Sequence, residues 1–426
     1  MKRIIPIAIL LVLTSFYVFP FCFRFLPEVN TKMAMAGMGL VIFFLKMGTG
    51  SIRIDRNIVT ISLLAALVSL ISFAAMVINN TTDTTYVTYI VSMWVWLGGA
   101  YFLLECMRKV HGHISVELVC YYIIAVGALQ CLTAIAIDSN PAIKNFVDSN
   151  IVGERFMGAG LRNRLYGIGC ALDVAGSRFA VMLVMIAFLM PRVLTRRDST
   201  IYFVGLTAAF CIIAIIGNII GRTTTVGIAL AVIYWIWYFQ SHLRSRFSAR
   251  FLIVLGIFGT LLYYLYNYNE KWNEQLRFGF EGFVSLAEKG EWDVKSNDML
   301  VEGFVFPDNL KTWVIGDGYI DSAMNDPYYT GEEDYGFYKN TDAGYCRFIF
   351  YFGLTGLAAF AAFFVALALA CMRRLPQFKP LFLAILIVNF AVWFKTTTDM
   401  FLLFAPFLLI SQKQEEEYEK IQPPRR

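Results

Sequence analysis

Long stretches without a single charge constrain this chain more than anything else in it. Residues 4–23, 58–78 and 200–220 contain no Asp, Glu, Lys, Arg or His. An α-helix rises about 1.5 Å per residue, so about 20 apolar residues cross the roughly 30 Å hydrocarbon core of a bilayer. That core offers no water to bond peptide groups. A chain that crosses it must satisfy its own backbone, as a helix does. Composition agrees, with 58% hydrophobic and only 16% charged residues, against about 25% charged in soluble domains. The fold class expected is an all-α polytopic integral membrane protein. Its formal net charge of +5 is no nucleic-acid footprint, because the basic residues of a membrane protein sort by side.

Twelve spans are expected, at about 4–23, 33–46, 58–78, 86–107, 115–137, 168–190, 200–220, 223–240, 251–268, 346–371, 381–395 and 399–412. With the N-terminus (Lys2, Arg3) in the cytoplasm, the inner loops carry Lys46, Arg53, Arg56, Arg108, Lys109, Arg192, Arg196, Arg197, Arg244, Arg246, Arg250, Arg373, Arg374 and Lys379. The short outer loops carry only Arg24, Lys32, Arg222 and Lys395, and "NNTTDTT" at 79–85 carries none. This bias sets the orientation by the positive-inside rule. Both termini are then cytoplasmic, including the charged tail 413–426. The basic start and apolar run resemble a signal peptide, but a small-residue cleavage site is absent and the run is long, so an uncleaved first helix is expected. The chain reads as one transmembrane domain over 1–426. Two outer segments are too long for turns: 138–167, and 269–345 between spans nine and ten, whose Trp, Tyr, Phe and Gly content suggests an ordered, partly helical cap.

The three histidines, His111, His113 and His242, all fall in inner loops. An outer face without histidine holds no Ser-His-Asp triad and no His-zinc site. The eight cysteines are spread mostly through the spans without a C-x-x-C, as small packing residues are. Neither a phosphate-binding Walker loop nor a dinucleotide fingerprint is present.

What the outer face does carry is arginine: Arg155, Arg162 and Arg164 in the first long loop, Arg178 about three turns inside span six, Arg222 in "GNIIGRTTT", and Arg347 opening span ten. Planar guanidinium forks bind phosphate oxygens in pairs, so such a set suits a lipid-linked pyrophosphate. Each has a plainer reading beside it. Arg162 and Arg164 fit as snorkelling anchors, Arg178 as half of a buried ion pair with Asp173, and Arg222 as a solvated turn residue. The "GRTTT" hydroxyls, Gly221 and the start of span eight favour an anion instead. Asp138, Asp148, Glu154 and Asp399 are outer acids, but Asp342 in "TDAGYCRFIFYFGLTG" stands out. A base, a helix N-cap and an orienting partner of Arg347 are its open roles.

The arginine-bearing loop after span five, the outer "GRT", the "GDGY" at 316–319 and the closing "TDAGYCRFIFYFGLTG" at 341–356 together resemble the O-antigen and capsular polysaccharide polymerase family, within the polymerase–ligase superfamily of membrane glycosyltransferases. The resemblance covers most of the chain in architecture. In residues it is concentrated in 155–180, 217–227 and 311–356. It implies transfer of a growing glycan from undecaprenyl pyrophosphate onto a lipid-linked repeat unit, at the periplasmic face of a bacterial inner membrane. The donor is already activated, so no cofactor or metal is expected. Partners implied are the undecaprenyl-pyrophosphate-linked glycan, membrane lipids, a chain-length regulator and a flippase, with no nucleic acid. Catalytic roles fall to Asp342 and Arg222; Arg162, Arg164, Arg178, Arg222 and Arg347 face the pyrophosphate; Tyr345, Asp317 and Tyr319 face the sugars, with packing as the equal alternative for loop aromatics. Ligases of the superfamily carry a histidine before the corresponding late span, where this chain has "NTDAGY", which favours polymerase. An O-antigen ligase, a lipid-linked oligosaccharide flippase or other secondary transporter, and a membrane scaffold are the alternatives. In a cysteine-free background, an engineered cysteine at position 300 is expected to react with an impermeant thiol reagent added outside, and one at 246 to stay protected; the reverse pattern inverts the whole assignment.

Overall fold

The structure is a computed structural model and describes residues 4–50, 55–152, 164–193, 199–241, 256, 259–260, 263–294, 300–326, 329, 331 and 336–421. In chain order its elements are α1 (Ile4–Val18), β1 (Cys22–Phe23), β2 (Leu26–Asn30), α2 (Thr31–Gly48), α3 (Arg56–Asn79), α4 (Tyr89–His111), α5 (Val116–Ser139), α6 (Pro141–Asn150), β3 (Ile151–Val152), α7 (Leu172–Val193), α8 (Ser199–Ile220) and α9 (Thr224–Ser241). There follow α10 (Glu270–Gly279), α11 (Glu281–Lys289), α12 (Leu310–Ile315), α13 (Gly344–Arg374), α14 (Lys379–Val392), α15 (Phe401–Leu409) and α16 (Gln412–Ile421). Seven described helices are long and apolar enough to cross a membrane: α2, α3, α4, α5, α7, α13 and Thr200–Ile220 within α8. Ile4–Val18, Thr224–Tyr238 and Pro376–Val392 are shorter apolar helices. The chain is thus an all-α membrane protein. Half of the ninth expected span, 251–268, lies outside the described residues.

The chain divides into two compact units, one of Met1–Met35, Gly99–Asp293 and Leu409–Arg426, the other of Ala36–Gly98 and Val294–Leu408. The first is organised around α7, buried from Ala175 to Val193 except at Arg192. Its closest neighbour is the α8–α9 hairpin. A β-carbon on Gly227 would overlap the Ala180 backbone, and one on Gly221 would overlap the Leu172 carbonyl. In lipid, small residues let backbones approach this closely and gain dispersion contacts. Gln130 of α5 ties down the loop ahead of α7: it accepts from the Ile168 N–H at 2.9 Å and donates to the Ile168 carbonyl at 3.0 Å. A small sheet, β2–β1–β3, joins the connection after α1 to the end of α6. At the opposite ends of the helices Arg192 meets the buried Glu117 at 3.6 Å, and Glu415 of α16 accepts from the Val116 N–H.

The second unit is built on α13, which packs along α3 and α12 and is not one continuous helix. At Gly353 the backbone swings to φ 67°, ψ −174°, a region that only glycine enters without strain. The carbonyls this break frees do not go unbonded. The Asp317 N–H donates to the Phe350 carbonyl at 2.6 Å and the Gly318 N–H to Tyr351 at 3.1 Å. Thr355 Oγ1 returns a bond to the Val314 carbonyl at 2.7 Å. A loop holds this junction from the other side. Asn79 donates to the Gly316 carbonyl, Thr81 to the Gly318 carbonyl, and the Ile320 N–H donates to Asp83. The Thr82 N–H donates to Asp326. Behind it lies an aromatic core in which Trp393 stacks on Phe360 at 5.0 Å.

A β-carbon at position 353 would overlap the Val314 carbonyl as well as strain the backbone. Gly353→Ala is expected to cost about 3 kcal/mol, with both effects acting together, seen as a lowered unfolding midpoint in detergent micelles. Gly205→Ala, with nothing within 4 Å of its added carbon, is expected to be neutral or to stabilise by up to about 1 kcal/mol.

Candidate functional site

The residues singled out from sequence divide between the units. Arg164, Arg178 and Arg222 belong to the first; Asp317, Tyr319, Asp342, Tyr345 and Arg347 belong to the second. Arg155, Glu154 and Arg162 lie outside the described residues.

In the first unit α8 stops at Ile220 and α9 restarts at Thr224, leaving Arg222 in the turn. Each threonine hydroxyl of "GRTTT" has a protein acceptor. Thr223 donates to Asp173 Oδ1 at 2.9 Å, Thr224 to the Gly221 and Gly217 carbonyls at 2.8 and 2.9 Å, and Thr225 to Asn218 Oδ1 at 2.8 Å. The hydroxyls therefore build the turn. The guanidinium is what the turn presents. Arg222 Nη1 lies 2.7 Å from Glu281 Oε2, with side chains 16% and 27% exposed. Its Cζ sits 4.1 Å from the centroid of the Phe278 ring, and Arg164 lies over the same ring at 5.2 Å. Burial lowers the Arg222 pKa from the ordinary guanidinium value; Glu281 opposes the shift and the Arg164 charge adds to it. Two arginines are thus gathered around one ring, an arrangement with cation–π attraction on each.

Phe278 and Glu281 are held in place independently of the ion pair. Asn218 Nδ2 donates to the Gly279 carbonyl at 2.7 Å, and Gly279 lies flush on Ile219. Lys271 pairs with Asp138 at 2.8 Å, and Gln275 donates to the same carboxylate. Sequence reading missed both residues. The signal was "RFGFEGF" at 277–283, one acid among alternating aromatics and glycines, sitting in a segment read only as a packed cap. Arg178, buried in α7, donates to the Val18 carbonyl at 2.7 Å and lies 5.7 Å from the Phe19 ring, while Asp173 receives Thr223.

In the second unit Arg347 is 6% exposed and bound on three sides. Nη2 meets Asp321 Oδ1 at 2.6 Å, Nε donates to the Ile320 carbonyl at 3.1 Å, and Cζ lies 3.9 Å from the Phe337 ring centroid. A phosphate would reach this fork only if Asp321 gave way. Asp317 accepts from Thr312 at 2.6 Å and from the Tyr338 hydroxyl at 3.2 Å. Tyr319 donates to Asp326 at 3.1 Å and packs on Tyr338 and Tyr329. Burial, then the neighbouring aspartates, push both the Tyr319 and Tyr338 hydroxyls above their ordinary values, so they act as donors. Tyr345 Oη donates to the Phe390 carbonyl at 3.0 Å, and its ring packs on Trp393 and Phe394. Asp342 is exposed, and α13 begins after it with Ala343 in the cap position. It therefore stands one residue outside the cap. Among the described residues no group of His, Cys, Asp and Glu is arranged to hold a metal ion.

No protein-family model, curated protein or solved structure matches this chain.

The Arg347–Asp321 pair is lopsided, because Asp321 is 55% exposed. Asp321→Asn is expected to cost about 1 kcal/mol or less. Arg347→Ala, which also vacates Ile320 and Phe337, is expected to cost about 3 kcal/mol. Unfolding midpoints of the two variants in detergent micelles check the difference.

Proposed function

We propose that the chain is a polysaccharide polymerase of the O-antigen or capsule type, spanning a bacterial inner membrane twelve times with both termini in the cytoplasm and the segments 138–167 and 269–345 in the periplasm. It would transfer a growing glycan from undecaprenyl pyrophosphate to a hydroxyl of a lipid-linked repeat unit. The observation that carries this reading is the pairing of Arg164 and Arg222 around Phe278, on the side that the Lys/Arg bias assigns to the outside. In the reaction the bond between the anomeric carbon and the pyrophosphate oxygen breaks. Its electron pair leaves with undecaprenyl pyrophosphate, and the acceptor oxygen forms the new glycosidic bond. Fixed guanidinium forks stabilise the charge building on the leaving group. The acceptor proton needs a base, and on a face without histidine a carboxylate is the natural group for it. Arg162 and Arg178 complete the basic set, and a chain-length regulator and a flippase are the partners such a reaction calls for.

The break in α13 favours a second reading, since discontinuous helices mark the ion and substrate sites of many secondary transporters. Here, though, the Phe350 and Tyr351 carbonyls freed by the break are already bonded by Asp317 and Gly318. Nor do the two halves of the chain repeat a motif.

Deleting the gene is expected to leave single repeat units on the acceptor and no polymer. Lipid-linked polymer without transfer would mean a ligase, and repeat units retained on the inner leaflet a flippase. Arg222→Lys keeps the charge but not the planar fork and is expected to lose most polymer at normal abundance. Full-length polymer from Arg222→Ala would overturn the reading.

A further inference from the structure

Glu281 meets Arg222 in the way a phosphate oxygen would: an anionic oxygen 2.7 Å from Nη1, beside a ring that a second guanidinium also covers. Its ion pair is not what holds the segment down. The Asn218–Gly279 hydrogen bond, the seat of Gly279 on Ile219 and the Lys271–Asp138 pair do that without it. Nor is Glu281 deeply committed. Its side chain is 27% exposed, so on swinging out it gains hydration that offsets part of the lost ion pair. The other carboxylate whose charge reaches Arg222 is Asp173, and its Oδ1 is already engaged by the Thr223 hydroxyl.

We propose that Glu281 is an internal stand-in for the pyrophosphate, closing the Arg222 site until a ligand anion displaces it. This rests on reading Arg222 as a pyrophosphate ligand and adds how that site is kept shut. A resident carboxylate neutralises the half-buried guanidinium between turnovers. It also sets a threshold that a singly charged anion, offering one weak contact, does not pass. A pyrophosphate passes it because it brings several oxygens to two forks at once. The Phe278 ring, fixed through the adjacent Gly279, keeps both guanidiniums in place while the anions exchange.

The test measures binding of inorganic pyrophosphate to the purified full-length protein in nanodiscs. Glu281→Gln keeps the shape of the side chain and removes its charge. It is expected to tighten pyrophosphate binding about tenfold, equivalent to about 1.4 kcal/mol, with little change in unfolding midpoint. In an Arg222→Ala background the same substitution should give no gain, because the competitor and the site vanish together. Unchanged or weaker binding by Glu281→Gln would overturn the proposal, the weaker result making Glu281 an organiser of the site. Binding that survives Arg222→Ala would place the anion elsewhere and overturn it too, as would no binding by any variant. A gain that appears only when phosphatidylglycerol is added to the nanodisc would replace pyrophosphate by a lipid headgroup. Polymer made by each variant is scored separately. Loss of polymer in Arg222→Ala with no effect of Glu281→Gln on binding removes the stand-in and keeps the polymerase; normal polymer in Arg222→Ala removes the polymerase.

Discussion

Every peptide group in the apolar part of this chain has to find its partner within the chain, because hydrocarbon supplies none. Long uninterrupted helices meet that demand by themselves. The informative place is where one of them stops meeting it. At Gly353 the α13 ladder is broken, and the missing bonds come from "GDG" at 316–318, which lies far off in sequence. That segment is in turn fastened by the "NNTTDTT" loop, through Asn79, Thr81 and Asp83. One break in one helix thus dictates the conformation of two loops.

The arginines follow a parallel rule. A guanidinium at or below the membrane surface persists only with compensation, and Arg178, Arg347 and Arg222 have it in three different forms. Arg178 has a carbonyl and a ring. Arg347 has a carboxylate, a carbonyl and a ring. Arg222 has a ring and a partly exposed carboxylate from a mobile type of side chain. Arg222 is therefore the one whose compensation can be exchanged at least cost, and Arg347 the one most firmly built in. Their positions in the sequence look alike, since each stands at the end of an apolar run, but the chemistry they offer differs.

Much of the fold was legible because helix and membrane share one signal. Charge-free runs such as 58–78 and 200–220 announce helices whatever their neighbours do, and α3 and α8 start and stop within two residues of those runs. The arginines and Asp342 were legible as types, as charges where charges are costly. Their partners were not. Glu281, Asp321, Phe278 and Phe337 lie in a long loop whose fold depends on contacts distant in sequence, and periodicity says nothing about such contacts. The "GRTTT" hydroxyls show the opposite error. Read beside the charge they suggest a ligand, yet each serves the turn. In "GDGY" the backbone repairs a helix and the aspartate accepts from Thr312 and Tyr338, bonds that no local pattern announces.

The break at Gly353 also divides α13 by length. The part beyond it, 354–374 within a helix of 31 residues, is about 31 Å long at 1.5 Å per residue. That matches the hydrocarbon thickness of a typical bilayer, about 30 Å. The part before it needs no lipid around it. Bilayer thickness is then a mechanical input: a thinner membrane tilts the long segment and a thicker one draws it upright, and the junction at 316–318 is bonded at its N-terminal end. The length of 354–374 thus ties the position of this loop to acyl-chain length in whatever bilayer surrounds the segment, and lipid composition becomes part of the geometry of the protein.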